Sequence, residues 1–582
     1  MTVERKLREG LARHRAGRLE DAALLYREIL AENPAHADAL NLLGVIFQAA
    51  KNWDMATRLG ELATERHPDF HAAWVNFGNA LQGAGRLDEA VLAFNKALKI
   101  QPKDPIAANN AASALNAQHR HGEALKACDL AAENVGDHPD ILINRGNALA
   151  GLERFDEARM SYVKALEIAP NHALGLFNLG RLLVDIKEYS LAIPYLVNSV
   201  NADPTNPQAL YSLGLAHQNL DAPDRAERAY AEALKLDPGY VDAINNRAAA
   251  LQSLNRTSEV LPLFETALGH EPDSPDLHWN LSLALLKTGD YERGFREYEW
   301  RWRTPTFIAF ARDWPQPRWR GEDLNGKSIL VHAEQGFGDQ IMFSRFISEL
   351  LDRGAAVILE CRKELVRLFR ASFPEVSVTG LNEDTPDTDF QIPLMSLPMV
   401  LGTTVDKLPN KVPYLLAPSD RKAPKAVLNA KGPKVGLCWS GSRTRPDNAS
   451  RSIDIEKLAP LAAFAGLSVV NLQVGPDSDR FAKLDGPATM IDPVAEIADF
   501  ADTAAIIDAL DRVIAVDTGV LHLAGALGKE TLGLMSIPTG FFWMERRGDS
   551  PWYPTLELAR QTQPGDWSAP LNELWATMED WV

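Results

Sequence analysis

Residues 71–104 read HAAWVNFGNALQGAGRLDEAVLAFNKALKIQPKD, and this 34-residue stretch decides the fold because its key positions recur along the chain. Gly78 lies in its first half, Ala90 in its second half and Pro102 near its end. At steps of 34 residues, the equivalents of Gly78 are all small: Gly10, Gly44, Ala112, Gly146, Gly180, Gly214, Ala248 and Ser282. The equivalents of Ala90 are Ala22, Ala56, Ala124, Ala158, Ala192, Ala226, Val260 and Gly294. Those of Pro102 are Pro34, Pro68, Pro170, Pro204, Pro238 and Pro272, with Gly136 as the exception.

Small residues let two antiparallel helices approach closely, and a proline ends the second helix of each pair. A period of 34 with these three positions is typical of tetratricopeptide repeats. We therefore predict that residues 1–308 form an α-solenoid of nine 34-residue repeats. Because solenoids bind partners more often than they catalyse reactions, we expect this part to bind an acceptor protein.

A second register of the repeat carries asparagine, a mediocre helix former, two residues before the small position. Its members are Asn76, Asn110, Asn144, Asn178, Asn246 and Asn280. One interpretation is an acceptor-binding groove, in which the amides hold the backbone of an extended peptide. The other is that each asparagine bridges or caps neighbouring helices. The column resembles that of the eukaryotic O-GlcNAc transferases, where it lines the concave surface and holds protein substrates, and this resemblance favours the groove.

Composition and charge argue against several classes of protein. The net charge of −18 disfavours sequence-independent binding of nucleic acid. The chain has no apolar run long enough for membrane insertion, and its charged N-terminus does not resemble a secretory signal. The three cysteines, Cys128, Cys361 and Cys438, lie far apart, which excludes a disulfide scaffold. We expect a cytoplasmic multidomain protein.

Aromatic and basic residues crowd together where the repeats end, in YERGFREYEWRWR (291–303) and on to Trp319. Such a mixture is found in nucleic-acid-stacking surfaces, and equally where a last repeat is covered by the next domain. The acidic chain favours docking of the next domain. We predict an aromatic and proline-rich seam over 309–326.

After Gly326 the helical period gives way to short apolar runs separated by helices. The runs predicted as buried strands are 328–334, 356–361, 376–380, 389–394, 434–440, 468–473, 512–517 and 531–535. Alternation of strands and helices predicts two parallel-sheet halves, 327–415 and 430–582, of the double Rossmann type. Ligands of such folds bind beyond the carboxyl ends of the strands.

Three polar segments follow predicted strands. The first, EQGFGDQ (334–340), has glycines suited to a tight turn, and Asp339 adds a carboxylate. It lacks the third glycine of the dinucleotide fingerprint, which argues against NAD. The second contains Ser440 and Gly441, followed by Arg451, and small polar residues with arginines suit a phosphate. Taken alone, each segment is equally compatible with a simple connection.

The third segment, DTGVLHLAGAL (517–527), takes the chain from a strand into a helix. Thr518 and Gly519 place a hydroxyl and an amide at the helix N-terminus, which suits an anion. Asp517 and His522 add groups able to hold a ligand rich in hydroxyls. Two DxD triplets, at 387–389 and 477–479, have the spacing of a metal site, but we interpret both as structural and predict no metal.

Together the three segments resemble the bacterial heptosyltransferase-type glycosyltransferases over residues 327–582. That resemblance implies a GT-B fold, inverting metal-independent transfer, Asp339 as the general base, and a nucleotide-sugar donor closed in by the 517–527 segment. It implies donor-binding roles for Gly336, Gly338, Ser440, Gly441, Arg451, Asp517, Thr518, Gly519 and His522. The fusion to repeats, with YERGFREYEWRWR and EQGFGDQ, is similar to bacterial enzymes that modify flagellin with nonulosonic, pseudaminic-type sugars.

The sequence thus predicts a protein O-glycosyltransferase that modifies Ser or Thr of a bound protein, with flagellin as the expected acceptor. CMP-nonulosonate, ADP-sugars and UDP-sugars all remain open as donors, and no other cofactor is expected. Two alternatives stand beside it: a tetratricopeptide scaffold with an inactive glycosyltransferase-like domain, and a glycosyltransferase acting on a lipid-linked saccharide.

Overall fold

The structure is a computed structural model that describes residues 1–308, 311–443 and 448–581. The start of the predicted seam, 309–310, residues 444–447 near Arg451, and Val582 lie outside the described residues. The chain forms two compact units, residues 1–237 and 238–582.

The first unit consists of seven helix pairs, each folded from one repeat. Its helices are α1 Val3–Arg15, α2 Leu19–Glu32, α3 Ala37–Ala49, α4 Trp53–Arg66, α5 His71–Gly83, α6 Leu87–Ile100, α7 Pro105–Ala117, α8 His121–Val135, α9 Pro139–Gly151, α10 Phe155–Ile168, α11 Ala173–Asp185, α12 Tyr189–Ala202, α13 Pro207–Asn219 and α14 Pro223–Leu236. Polar caps begin several of them: the Asp104 side chain accepts hydrogen bonds from the Ile106 and Ala107 amides at the start of α7.

At five of the six glycines in the small position of the repeat, all but Gly44, a bulky side chain of the paired helix lies directly over the glycine. A Cβ atom on Gly78 would lie 2.5 Å from the Phe94 ring, and one on Gly10 would lie 2.6 Å from the Tyr26 ring. No larger side chain fits at such a distance without moving its neighbour. The glycine and the side chain above it belong to the same repeat, so the need for a small residue recurs with the 34-residue period.

The second unit begins with the last two helix pairs and continues into the α/β region. Its helices are α15 Val241–Ser253, α16 Leu261–His270, α17 Pro275–Thr288, α18 Tyr291–Tyr298, α19 Pro305–Ile308, α20 Phe337–Phe343, α21 Ile347–Asp352, α22 Val366–Ser372, α23 Leu397–Val400, α24 Lys425–Leu428, α25 Asn448–Arg451, α26 Phe500–Asp508, α27 Gly519–Ala526 and α28 Ser568–Trp581. Its 3-10 helices are Thr257–Glu259, Glu299–Arg303, Ser344–Phe346, Lys363–Leu365, Leu394–Ser396, Val405–Lys407, Ile455–Ala463, Ser478–Lys483, Val494–Glu496 and Phe541–Trp543.

Two parallel sheets form the α/β region. The strands are β1 Ser328–His332, β2 Ala356–Cys361, β3 Ser377–Gly380, β4 Phe390–Pro393, β5 Lys434–Cys438, β6 Ser468–Asn471, β7 Thr489–Ile491, β8 Arg512–Val516, β9 Glu530–Met535 and β10 Leu556–Arg560. The first sheet has the order β3-β2-β1-β4 and the second β10-β9-β8-β5-β6-β7, with every pair of named strands parallel. The prediction of a helical solenoid followed by parallel sheets and helices is confirmed at this level.

Two strands, β7 and β10, were not predicted from the sequence, and both lie at the edges of the second sheet. β7 has only three residues, and its first one is exposed. β10 carries the exposed Glu557 and the half-buried Arg560, so neither strand contains the continuous apolar run on which the strand predictions rested.

The last helix pair shares a hydrophobic core with the first sheet. Tyr291, Phe295 and Tyr298 of α18 are each 1% exposed and belong to the same buried cluster as β1 residues Ile329 and Val331. Beyond them the seam makes an isolated parallel bridge to β4, in which the Trp319 amide donates to the Gln391 carbonyl and the Gln391 amide donates to the Pro317 carbonyl.

Candidate active site

The order of the second sheet creates a crevice at its carboxyl edge. From β5 the chain proceeds outward through β6 to β7, and it then returns to β8 on the other side of β5 before continuing to β9 and β10. The connections that leave β5 and β8 therefore diverge, which is where parallel sheets bind ligands. The segment with Ser440 and Gly441 follows β5, and the segment beginning at Asp517 follows β8.

The first half of the α/β region brings its own turn to this crevice. Gly336 is the N-cap of α20, and its amide donates to the Asp339 carboxylate at 3.0 Å. Helix α20 lies close against α27: a Cβ atom on Gly338 would come within 2.7 Å of His522 Cδ2. Gly338 is therefore required for the close approach of the two helices, which join the two α/β halves.

A cavity of about 470 Å³ lies where these segments meet. It is lined by Gly336, Phe337, Gly338, Asp339, Arg362, Gly441, Ser442, Arg451, Asp517, Thr518, Gly519, His522, Pro538, Thr539, Gly540 and Phe542. Ser440 lines a neighbouring cavity of about 520 Å³, which shares the Gly441–Ser442 and Thr518–Gly519 segments with the first. The structure therefore collects all ten residues predicted for catalysis and donor binding in one continuous cleft.

The phosphate-binding candidates of the cleft are held by hydrogen bonds from its own walls. Arg451 pairs with the Asp517 carboxylate at 3.0 Å and also donates to the Asp517 carbonyl. The amide oxygen of Gln473 accepts from the Ser440 backbone amide at 2.8 Å, which shapes the loop after β5. The Ser440 hydroxyl donates to Asp477 at 2.8 Å.

One carboxylate of each DxD triplet, Asp477 and Asp389, has protein partners. Asp477 also accepts from Arg443, and Asp389 accepts from the Ser328 amide at 2.9 Å and from Lys327. Across 1–308, 311–443 and 448–581, no three His, Cys, Asp or Glu side chains are grouped as metal ligands would be.

His522 is buried among aromatic rings. Its Nδ1 lies 3.0 Å from the Tyr553 hydroxyl, and its ring stacks on Trp543 with centroids 4.9 Å apart. Burial lowers the pKa of His522 to about 4, although the nearby Asp517 carboxylate opposes this effect. The imidazole is therefore neutral near pH 7 and holds α27 in place without adding charge to the cavity.

This burial predicts a pH-dependent stability. Unfolded histidine binds a proton below about pH 6.5, whereas native His522 stays neutral down to about 4, so the free energy of unfolding falls as the pH falls between these values. From pH 7 to pH 5 we expect His522 to account for a loss of about 2 kcal/mol. Urea unfolding at both pH values should show a smaller loss in His522→Gln than in the parent. The exposed His270→Gln serves as the control, and equal losses in all three proteins would contradict the prediction.

Two parts of the cavity wall, Arg362 and the 538–542 loop, were not predicted from the sequence. Arg362 directly follows β2, and the loop follows β9, so both obey the strand-end rule that found the other segments. Arg362 donates to the Gln335 carbonyl from two nitrogens, each at 3.3 Å, and its guanidinium lies 5.1 Å from the Phe337 ring centroid.

The asparagine column bridges neighbouring repeats. The side-chain N–H groups of Asn76 and Asn110 donate to Asn41 and Asn79, both at 2.8 Å. Three further members form the same kind of bond: Asn144 with Asn109 at 2.6 Å, Asn178 with Asn147 at 2.9 Å, and Asn280 with Asn245 at 3.3 Å. Within the protein, these five asparagines therefore link neighbouring helices, as the second of the two interpretations of the column predicted. Asn246 lies on α15 in the same unit as the cleft.

Comparison with known proteins identifies the helical region. Residues 7–69, 56–105, 75–139, 139–172, 207–240 and 245–302 match the tetratricopeptide repeat family. The N-terminal region is a tetratricopeptide-repeat solenoid. Such solenoids support a role as a scaffold for protein partners. In the described part of the chain, no helix has both the length and the apolar character needed to span a bilayer.

Two relatives match by sequence. Protein FlbA of Caulobacter vibrioides is 27% identical over 342 residues, which are 53% of this chain and 57% of FlbA. The match thus spans little more than half the length of that relative. Human tetratricopeptide repeat protein 7A is 32% identical over 90 residues, 16% of this chain and 10% of that protein.

Solved structures also match parts of the chain. The APC/C hetero-tetramer Cut9–Hcn1 is 18% identical with a TM-score of 0.37, covering 46% of this chain and 52% of that one. A tetratricopeptide repeat protein from Parabacteroides merdae is 13% identical with a TM-score of 0.38, covering 43% of this chain and 98% of that one.

Proposed function

We propose that the chain is a GT-B-type protein O-glycosyltransferase, which moves a sugar from a nucleotide donor to Ser or Thr of a protein held by the repeats. One observation carries the proposal: three segments far apart in sequence, around Asp339, Arg451 and Gly519, line one cavity at the carboxyl edge of a parallel sheet. Together they supply a carboxylate, a guanidinium and helix N-terminal amides, the groups that an inverting transfer requires.

In the proposed reaction Asp339 accepts the proton of the acceptor hydroxyl while its oxygen attacks the anomeric carbon. The bond from that carbon to the donor phosphate breaks on the opposite face, so the configuration inverts through an oxocarbenium-like state. Negative charge then grows on the departing phosphate. Arg451 and the backbone amides at 518–519, which belong to residues lining the cavity, would stabilise it, since fixed donors act most strongly where charge develops.

The repeats would supply the acceptor. Holding the polypeptide on the same chain as the donor turns a bimolecular encounter into a local one, which raises the effective concentration of the hydroxyl. Asn246 and Asn280 belong to the unit that contains the cleft. In this proposal the side-chain amides of the asparagine column bind the peptide backbone. Flagellin and a nonulosonic sugar are the acceptor and donor that the family resemblance suggests.

The decisive measurement is the intact mass of a flagellin co-expressed with this chain in cells that make nucleotide-linked nonulosonic sugars. We expect added mass in whole sugar increments, which names the sugar class, and no added mass when Asp339→Asn replaces the parent. Unmodified acceptor, together with no nucleotide-induced change in the melting temperature of the chain, would instead support a tetratricopeptide scaffold with an inactive second half.

A further inference from the structure

The last helix pair ends in a fully buried arginine, Arg301, in the 3-10 helix Glu299–Arg303 that follows α18. A guanidinium has five N–H donors, and all five are used here. Two reach the carboxylate of Glu334, at 2.9 and 2.8 Å, as a bidentate pair. The others donate to the Tyr298 carbonyl at 3.0 Å, to Glu299 at 2.9 Å and to the Ser396 hydroxyl at 2.8 Å.

Glu334 begins the turn that leads from β1 to Asp339. Its side chain is 5% exposed and also accepts from the Met395 amide at 3.0 Å. A carboxylate buried to this extent is tolerated because it is paired and fully hydrogen-bonded. Arg301 therefore holds one end of the turn that carries the proposed general base.

Gln335, the next residue, has a φ of 58°. This left-handed conformation is unfavourable for a residue with a side chain and persists only where the surroundings enforce it. The Gln335 side chain donates to the Tyr298 hydroxyl at 2.6 Å, and Arg362 donates to its carbonyl. Tyr298 thus holds the strained residue that directly precedes Gly336, the N-cap of α20.

Tyr298 also packs against a second segment that borders the cavity. Its ring packs edge-on against Phe541, with centroids 5.9 Å apart, and Phe541 lies between the cavity-lining residues Gly540 and Phe542. On another side the ring packs against Trp279 of α17, at 5.0 Å. One buried tyrosine of the last repeat therefore contacts both the turn before α20 and the 538–542 loop.

We propose that Tyr298 and Arg301 are positioning residues of the active site: through Gln335 and Glu334 they hold the strained turn in the geometry that directs Asp339 into the cavity. The last tetratricopeptide repeat is then a structural part of the catalytic half as well as the end of the binding surface. This inference rests on the proposed function for its kinetic consequence, whereas its structural consequence can be measured without any activity.

The test compares Tyr298→Phe with Tyr291→Phe in the full-length chain. Each substitution removes one buried hydroxyl from α18, but Tyr291 accepts its hydrogen bond from the Trp552 indole, at 2.9 Å, away from the turn. In Tyr298→Phe we expect amide hydrogen exchange over 335–340 to rise about tenfold, with 520–527 unchanged, because opening of the turn is no longer opposed. Tyr291→Phe should leave exchange over 335–340 at the parent value.

For transfer, we expect Tyr298→Phe to lower kcat by about tenfold to a hundredfold at an unchanged KM for the donor, since small misplacement of a catalytic group has costs of this size. Arg301→Lys keeps the charge but not the bidentate geometry and should show the same kcat-selective loss. The inference is overturned if Tyr298→Phe leaves exchange at 335–340 unchanged, or if Tyr291→Phe raises it equally. A parent chain without any transferase activity would remove the proposed function alone, because the exchange measurement still decides whether the turn is positioned.

Discussion

Asp339→Asn is expected to lower kcat for sugar transfer by about a thousandfold, because a positioned general base contributes roughly two to four orders of magnitude. Asparagine has nearly the same shape and retains an oxygen that can accept the Gly336 amide, the bond that the carboxylate makes at 3.0 Å. The variant thus preserves the start of α20 and removes only the proton acceptor. KM for the donor should change little, since Arg451 and the α27 amides remain.

The measurement is the initial rate of sugar transfer to purified acceptor, followed by intact mass, with nucleotide binding measured in parallel. Asp352→Asn, a change to an exposed carboxylate on α21, is the matched control and should retain the parent rate. Asp339→Asn turning over at the parent rate would exclude Asp339 as the base. Loss of nucleotide binding in the same variant would mean that the substitution disturbs the donor site instead.

The second large effect concerns where the chain can be divided. A fragment of residues 238–582 should fold on its own, whereas a fragment that starts at residue 309 should not. The shorter fragment lacks Tyr291, Phe295 and Tyr298, each 1% exposed within the core of the first sheet, and burial of one such side chain contributes about 1.5–3 kcal/mol. It also lacks Arg301, which leaves the buried Glu334 unpaired at a cost of about 3–5 kcal/mol.

These losses together match the whole free energy of unfolding of a typical domain, about 5–15 kcal/mol. Circular dichroism and thermal unfolding of the two purified fragments check the prediction: a cooperative transition is expected for 238–582 and none for the shorter one. A cooperative transition at the same temperature for both fragments would show that the last helix pairs contribute nothing to the fold of the α/β half.

The outline of the fold could be predicted because its determinants are local. Gly78 must be small since Phe94, sixteen residues later, lies over it, and the same contact recurs between Gly10 and Tyr26, Gly146 and Tyr162, and Gly214 and Tyr230. The central strands could be predicted from their continuous apolar runs, because both of their faces are buried. The edge strands β7 and β10 lack that signal and were missed.

The candidate site was also largely predictable, for a topological reason. Parallel strands present their carboxyl ends at one edge of the sheet, so polar segments that follow different strands converge whatever their distance along the chain. This rule placed Asp339, Arg451 and Thr518 together, and the structure lines one cavity with all three. The same rule applies to Arg362 and the 538–542 loop, although neither was predicted to belong to the site.

What the amino-acid sequence determined by itself is therefore the repeat, the central strands and the polar segments at their ends, because each depends on neighbours along the chain. Only the tertiary structure shows that Arg301 is buried, since an arginine beside tryptophans in a basic stretch equally describes an exposed surface. Only the tertiary structure shows that this arginine pairs with Glu334 and that Gln335 has a left-handed backbone conformation. It also shows that the boundary between the two compact units lies between residues 237 and 238, inside the repeats. These features arise from contacts between distant residues, and such contacts exist only once the helices and sheets have packed.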